Sequence, residues 1–367
     1  MKFNIIKNDL LKGLQQVGSL LVKNQSFPIL ENILIKIKEN ILSLTATNLE
    51  TEIITTIPIN YVYQTGSIVV SGKKLLNICR NLPNQSMIQM EKKNNKINII
   101  SNNSFFSLIT IPSKHFPNLC QFEYKKEFYV SQFILRKMIL ATQFSMANQD
   151  IRYYLNGMLF DIKEKNFRTV TTDGYRMAVY NTPIDFSTYS CSIIIPRKSI
   201  LELVRLLHNC ESLLHILIGK NNIRINIENI TFTSKLISGV FPNYNTILLH
   251  HPIKIIGVKI STLKKSLLRV AILSNQNIHG IHLYLHNGKL EISAKNQEEE
   301  EAKEIIDLIY FANVDFRINI NVNYILDVLN TLTGENVYFL MQKNTSKIQL
   351  EEDQISSVSY IIMPLHI

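Results

Sequence analysis

SGKKLLNICRNL (Ser71–Leu82), PRKSILELVRLL (Pro196–Leu207) and NVNYILDVLNTL (Asn321–Leu332) decide the fold, because they begin at residues 71, 196 and 321, a constant step of 125. Apolar residues coincide in this register: Leu75, Ile200 and Ile325; Leu76, Leu201 and Leu326; Ile78, Leu203 and Val328; Leu82, Leu207 and Leu332. Offsets of one, three and seven trace a stripe at helical period, so each segment is expected to be an amphipathic helix of roughly 12 residues. A periodicity of this length is the signature of a structural unit used three times.

Working outward, a second helix opens each copy. Leu10 and Leu14 are answered by Leu135 and Ile139, and again by Leu263 and Leu267. FPNL at Phe116 returns as FPNY at Phe241, and the third copy closes at Met363-Pro364. Between the helices, ILENILIKI, YYLNGMLFDI and GIHLYLH, followed by SLTAT, RTVTT and EISAK, alternate or carry β-branched residues as strands do. Each unit therefore reads helix, strands, helix, strands. Units of this kind strung in threes suggest sheets joined edge to edge with helices on one face, leaving two open edges that closure into a ring would satisfy.

The 367 residues suggest two or three domains, and the repeat selects three, at 1–125, 126–253 and 254–367. Hydrophobic residues at 46% and charged residues at 19% describe a folded globular chain. No signal-peptide pattern opens the sequence and no run of 18 apolar residues occurs, so a soluble, cytoplasmic protein without membrane contact is expected. Cys79, Cys120, Cys191 and Cys210 form no CxxC pair, which signals neither a disulfide framework nor a metal site. A net charge of +10 favours a polyanionic partner. The opening helices place Lys12, Lys137 and Lys265 at one register, and the other helices carry Lys73 and Lys198, then Arg80 and Arg205. Recurring positive charge on helices would attract phosphates without reading bases.

ATQFSMANQDIRYYLNGMLF (Ala141–Phe160), together with MKFNIIKNDLLKGLQQV, FPILENILI, TVTTDGYRMAV, IIIPRKSILELVR and the terminal YIIMPLHI, resembles the bacterial replicative sliding clamp, the β subunit of DNA polymerase III. The likeness covers the whole chain. It implies an α+β fold of three clamp-type domains, each with two helices packed on β-sheets, assembled as a ring-shaped homodimer with helices lining the hole. It implies a processivity factor in DNA replication: a clamp loader opens the ring on double-stranded DNA, and the polymerase III catalytic subunit, other polymerases and repair proteins carrying a clamp-binding peptide then hold on to it.

The resemblance also assigns residues. DNA contact falls on Asn24, Lys73, Gln149, Tyr153 and Tyr154, to which the repeat adds Lys198. Asn24 replaces the Arg usual in the family, and from sequence alone Tyr153 and Tyr154 would equally be strand aromatics. A pocket for partner peptides maps to Leu155, Thr172, Gly174, Tyr175, Arg176, Met177, Pro242, Ile247, Ile361, Met363, Pro364 and Leu365, with Tyr175 and Thr246 departing from the family's usual His and Arg. Phe106 and Leu108 map to one side of the dimer interface, Ile272 and Leu273 to the other. The acidic run Glu298–Glu301 with Glu304 is implied to face a surface carrying Lys74 and Lys96.

No GxxxxGK[ST], GxSxG or HExxH motif occurs, and nothing supplies a nucleophile or phosphate cradle beside the acidic run. The chain is expected not to be an enzyme and to need no cofactor. A non-encircling DNA-binding or scaffold protein is the competing possibility.

Overall fold

Both repeated segments are helical in the computed structural model, which describes residues 1–21, 26–117, 122–163, 165–184, 190–249, 253–312, 316–342, 347–352 and 357–365. In chain order the helices are α1 (Lys7–Gly18), α2 (Gly72–Asn81), α3 (Gln132–Thr142), α4 (Arg197–Leu206), α5 (Ile260–Val270) and α6 (Val322–Thr331). The second helix of each repeat thus begins at 72, 197 and 322, preserving the step of 125. Leu10, Leu14, Leu135, Ile139, Leu263 and Leu267 on the opening helices are fully buried, as are Leu75, Ile200 and Ile325 on the others. Each such side chain contributes roughly 1.5–3 kcal/mol of transfer free energy. The stripe is narrower than the sequence suggests. Leu76 and Leu326 are only half-buried and Leu201 is 43% exposed, because a residue one step along a helix lies about 100° around it, at the margin of the buried face.

The strands follow the expected order with displaced starts. ILENILIKI begins with a 3-10 turn at Pro28–Glu31 before the strand Asn32–Lys38. YYLNGMLFDI likewise opens on a 3-10 turn, Tyr153–Leu155, and its strand starts only at Gly157. The strand reading of Tyr153 and Tyr154 is therefore corrected: Pro28 pre-sets a turn in the first repeat, and in the second the Leu155 N–H bonds the Arg152 carbonyl at 2.8 Å. Helix and sheet approach closely at Gly13 of α1, where an added Cβ would meet Ile57 Cδ1 at 2.6 Å.

The described chain forms two compact units, Met1–Ile134 with Leu201–Leu236, and Leu135–Ile200 with Ile237–Ile367. In the first, a 13-stranded antiparallel sheet crosses from one repeat to the next. The fourth strand of repeat one, Thr51–Pro58, pairs with the last strand of repeat two, Ile230–Lys235, with Ile53 opposite Phe232. In the second, a nine-stranded sheet is made in the same way. The fourth strand of repeat two, Arg176–Pro183, pairs with the last strand of repeat three, Val358–Ile362, with Met177 opposite Ile361. A separate four-stranded sheet ends on Glu301–Asp307, the fourth strand of repeat three. Among the described residues that strand pairs on one side only, with Lys289–Lys295, and Ser104–Ile109 of the last strand of repeat one pairs only with Lys96–Ser101.

Candidate peptide pocket and nucleic-acid interface

The turn between RTVTT and RMAV is built by its own side chains. The Asp173 carboxylate accepts from the backbone N–H of Tyr175 and of Arg176, each at 3.0 Å, and the Gly174 N–H donates to the Thr172 hydroxyl at 3.1 Å. Gly174 sits at φ +94°, a left-handed conformation that favours glycine, and a Cβ there would lie 2.9 Å from Arg152 Nη2. The turn forms one wall of a cavity of about 190 Å³ that Leu155, Thr172, Met177, Pro242, Ile247, Ile361 and Met363 complete. Met177 and Ile361 also belong to a buried cluster with Leu159, Val170 and Tyr244, so the floor of the cavity is the edge of a core and is rigid.

Opposite the turn, Pro242 and Ile247 are held by the 3-10 turn Tyr244–Thr246. The Tyr244 hydroxyl donates to Asp161 at 2.6 Å, and Asp161, with its side chain 2% exposed, also accepts from the Ser192 hydroxyl and from Lys163 Nζ at 3.2 Å. Burial pushes the Asp161 carboxyl up, but the bonds from Ser192, Tyr244 and Lys163 outweigh it and hold the group below the usual carboxylate range.

Ten of the twelve residues assigned to the pocket from sequence line this cavity, Tyr175 being 63% exposed at its rim. Pro364 and Leu365 do not. They run beyond it, the Leu365 N–H bonding the Asn319 carbonyl at 2.8 Å. Arg152 also lines the cavity, although no sequence pattern marks it. Its guanidinium grips Asp150 through two hydrogen bonds, of 3.0 and 2.9 Å, and donates to the Asp173 carbonyl at 3.2 Å. The grip of Arg152 draws the Asp150 carboxyl down to about 2.

Lys73 and Lys198 are exposed, each the second residue of its helix, as are Lys12, Lys137 and Lys265 on the opening helices. Lys73 and Lys74 stand in the first turn of α2 with no acidic residue there, although a helix N-terminus is itself the positive end of the dipole. Arg80 is exposed, whereas Arg205 is engaged. Its Nη1 and Nη2 donate to the carbonyls of Gln15 and Gln16 at 3.2 and 2.9 Å, supplying partners for the last turn of α1. Gln149 is exposed at φ 58°. Tyr153 is 58% exposed and meets the half-buried Tyr154 edge-on, with ring centroids 5.8 Å apart. Asn24 lies outside the described residues.

Of the four interface candidates none is core. Ile272 is 77% exposed and Leu273 half-buried in the 3-10 turn Ala271–Leu273, and Phe106 and Leu108 are half-buried on one face of their strand. On the other face Phe105 and Ile109 are 62% and 70% exposed. Lys74 and Lys96 are exposed, but Glu304 is held within its own chain by Arg269, whose Nη2 lies 2.7 Å from its carboxylate, and Glu299 pairs with Lys295. Among the described residues no group of three or more His, Cys, Asp or Glu side chains is placed to hold a metal ion, and no helix is long and apolar enough to cross a membrane.

The geometry defines a class: three tandem units of two helices on antiparallel sheet, with a small apolar cleft where the second and third sequence repeats meet. Family profiles for the N-terminal, central and C-terminal domains of the DNA polymerase III beta subunit match residues 1–120, 129–243 and 246–366. The chain is 43% identical to the beta sliding clamp of Buchnera aphidicola from Acyrthosiphon pisum and 41% identical to that of Escherichia coli, with all of each protein covered. A crystal structure of DNA polymerase III subunit beta from Pseudomonas aeruginosa superposes with a TM-score of 0.96 at 36% identity over both full chains, and another from the same organism carries bound griselimycin. This chain belongs to the DNA polymerase III beta subunit family.

Proposed function

We propose that this chain is a DNA polymerase processivity factor and not an enzyme: two copies close head to tail into a ring around double-stranded DNA, slide without reading sequence, and tether their partners through the pocket at Gly174 and Met177. One observation carries the reading. Within the chain, the fourth strand of one repeat pairs with the last strand of the next, at Thr51–Pro58 with Ile230–Lys235 and at Arg176–Pro183 with Val358–Ile362. Among the described residues, the fourth strand of repeat three and the last strand of repeat one are the two members of this pattern that lack such a partner. Applying the same rule once more joins Glu301–Asp307 of one protomer to the stretch 104–109 of its partner. A heterologous contact of this kind either closes or polymerises, and closure after two chains gives both of these strands a partner.

In this reading the domains run 1–125, 126–253 and 254–367. Phe106 and Leu108 pack against the partner's Ile272 and Leu273, inside a rim of charge that sets orientation more than affinity. Lys73 and Lys198, with Gln149, Tyr153, Tyr154 and Asn24, contact DNA. The two lysines at the N-terminus of α2 cost that helix some stability, which a phosphate arriving there would restore. The peptide-bearing partners are the polymerase III catalytic subunit, the clamp loader, other polymerases and repair proteins, all met in the cytoplasm.

The deciding experiment loads the protein on nicked circular DNA with a clamp loader and then linearises the circle. An encircling ring withstands high salt on the circle and runs off the linear form, because topology rather than phosphate contact retains it. Equal retention on both forms overturns the proposal.

A further inference from the structure

Resting on the reading of the cavity as a peptide site, we infer that Asp327 of α6, which does not line the cavity, is a positioning residue that sets its affinity by fixing Arg176. The wall from Asp173 to Met177 is tied together by local bonds, and from outside by Arg152 at the Asp173 carbonyl and by the Met363 N–H at the Tyr175 carbonyl. Arg176 is the side chain by which the wall itself reaches outward. Nε donates to Asp173 at 3.0 Å, Nη1 to Asp327 at 2.5 Å and Nη2 to the Phe144 carbonyl at 3.0 Å. The guanidinium also lies over the Tyr324 ring at 4.6 Å and the Phe144 ring at 5.3 Å. Its side chain is 14% exposed, so it is nearly immobilised between two aromatic faces and three acceptors.

Of the three acceptors, Asp173 belongs to the turn itself and moves with it. The Phe144 carbonyl and Asp327 are the external anchors, and Asp327 is the charged one. The repeat gives the position added weight. Residue 202, one step of 125 earlier, is Glu202, which also holds an arginine, Arg205, at 3.2 Å, and that arginine reaches α1 of the first repeat. The same register in repeat one is Asn77. An acidic residue at this helical position thus clamps an arginine at each of the two joints made within the chain.

The predicted consequence is a loss of preorganisation: with Asp327 neutralised, Arg176 keeps its stacking but loses its charged external anchor, and peptide binding must then order the wall. The test measures fluorescence anisotropy of a labelled synthetic peptide ending in Leu-Phe on the dimer. Asp327→Asn should raise Kd roughly tenfold, within reach of one charge-assisted hydrogen bond, while Asp327→Glu, which keeps the carboxylate, restores binding to within about threefold of the unaltered protein. Melting temperature and sedimentation should be unchanged in both, since the Asp327 side chain is 41% exposed. Unaltered affinity in Asp327→Asn overturns the inference, as does equal weakening by Asn and Glu, which would point to shape rather than charge. If the unaltered protein fails to bind the peptide while Met177→Asp behaves no differently, the peptide-site reading falls as well.

Discussion

The backbone N–H of Met363 donates to the carbonyl of Tyr175 at 2.9 Å, so the end of the chain is stitched to the rim of the cavity rather than left beside it. Because the strand Val358–Ile362 already buries Ile361 and Ile362 at 1% exposure, the core ends before Met363. Removing Met363 to Ile367 should abolish binding of a polymerase-derived peptide, lower the melting temperature by a few degrees at most, and leave the dimer intact. Calorimetry alongside anisotropy decides it. Retained binding, or binding lost only through unfolding, rules out the terminus as part of the site.

The exposure of Ile272 makes it a clean probe of the subunit interface, since substitution there disturbs no core. Placing Glu at both Ile272 and Leu273 introduces charge into the surface that the proposed ring desolvates, at several kcal/mol for each of its two interfaces. Folded monomers are expected, with the dimer dissociation constant raised by about a hundredfold or more. Sedimentation at micromolar concentration that still finds the dimer refutes this interface.

Lys73→Glu combined with Lys198→Glu should weaken DNA association without changing the oligomeric state. A lysine that neutralises a phosphate adds about one to the steepness with which log affinity falls against log salt, so the variant should bind more weakly and show a shallower slope. A slope equal to that of the unaltered protein means that neither lysine meets phosphate.

Asp161, which holds the Tyr244 hydroxyl, makes stability depend on pH. Its carboxyl is depressed on folding, so the stability it contributes is present above the unfolded value of about 3.9 and is lost as pH falls through the lower folded value. Asp161→Asn should therefore lower the urea midpoint at pH 7, by the equivalent of about 1–3 kcal/mol, and the gap from the unaltered protein should shrink toward pH 3. A gap independent of pH would show that the loss is one of shape.

The repeat was legible because burial acts on it directly: Leu75, Ile200 and Ile325 keep their register since each must reach the same buried spot on its own sheet. Pocket residues such as Met177 and Ile361 were legible only through a resemblance, as their own sequence pattern is that of alternating core strands. Arg152 was missed for a physical reason. What brings it to the site is the tight turn at Tyr153–Leu155, read from sequence as strand, and its bond to Asp173, 21 residues away. The engagement of Arg205 and Glu304 was equally hidden, because a charged residue's partner is set by which surfaces meet and not by its neighbours in sequence.

The strand joints have unequal standing once time is considered. Thr51–Pro58 with Ile230–Lys235, and Arg176–Pro183 with Val358–Ile362, are joined through covalent chain, so a rupture is answered at an effective concentration in the millimolar range and reseals. The proposed third joint has no tether in a free monomer and depends on the supply of a second chain. In an assembled dimer, though, a single broken seam is itself held by the remaining one, so opening one gate leaves a tethered crescent that recloses without meeting a new partner. Residence on DNA would then be governed by the rate at which one seam opens for long enough for the duplex to pass, and a substitution at that seam would shorten residence before it lowered the amount of dimer.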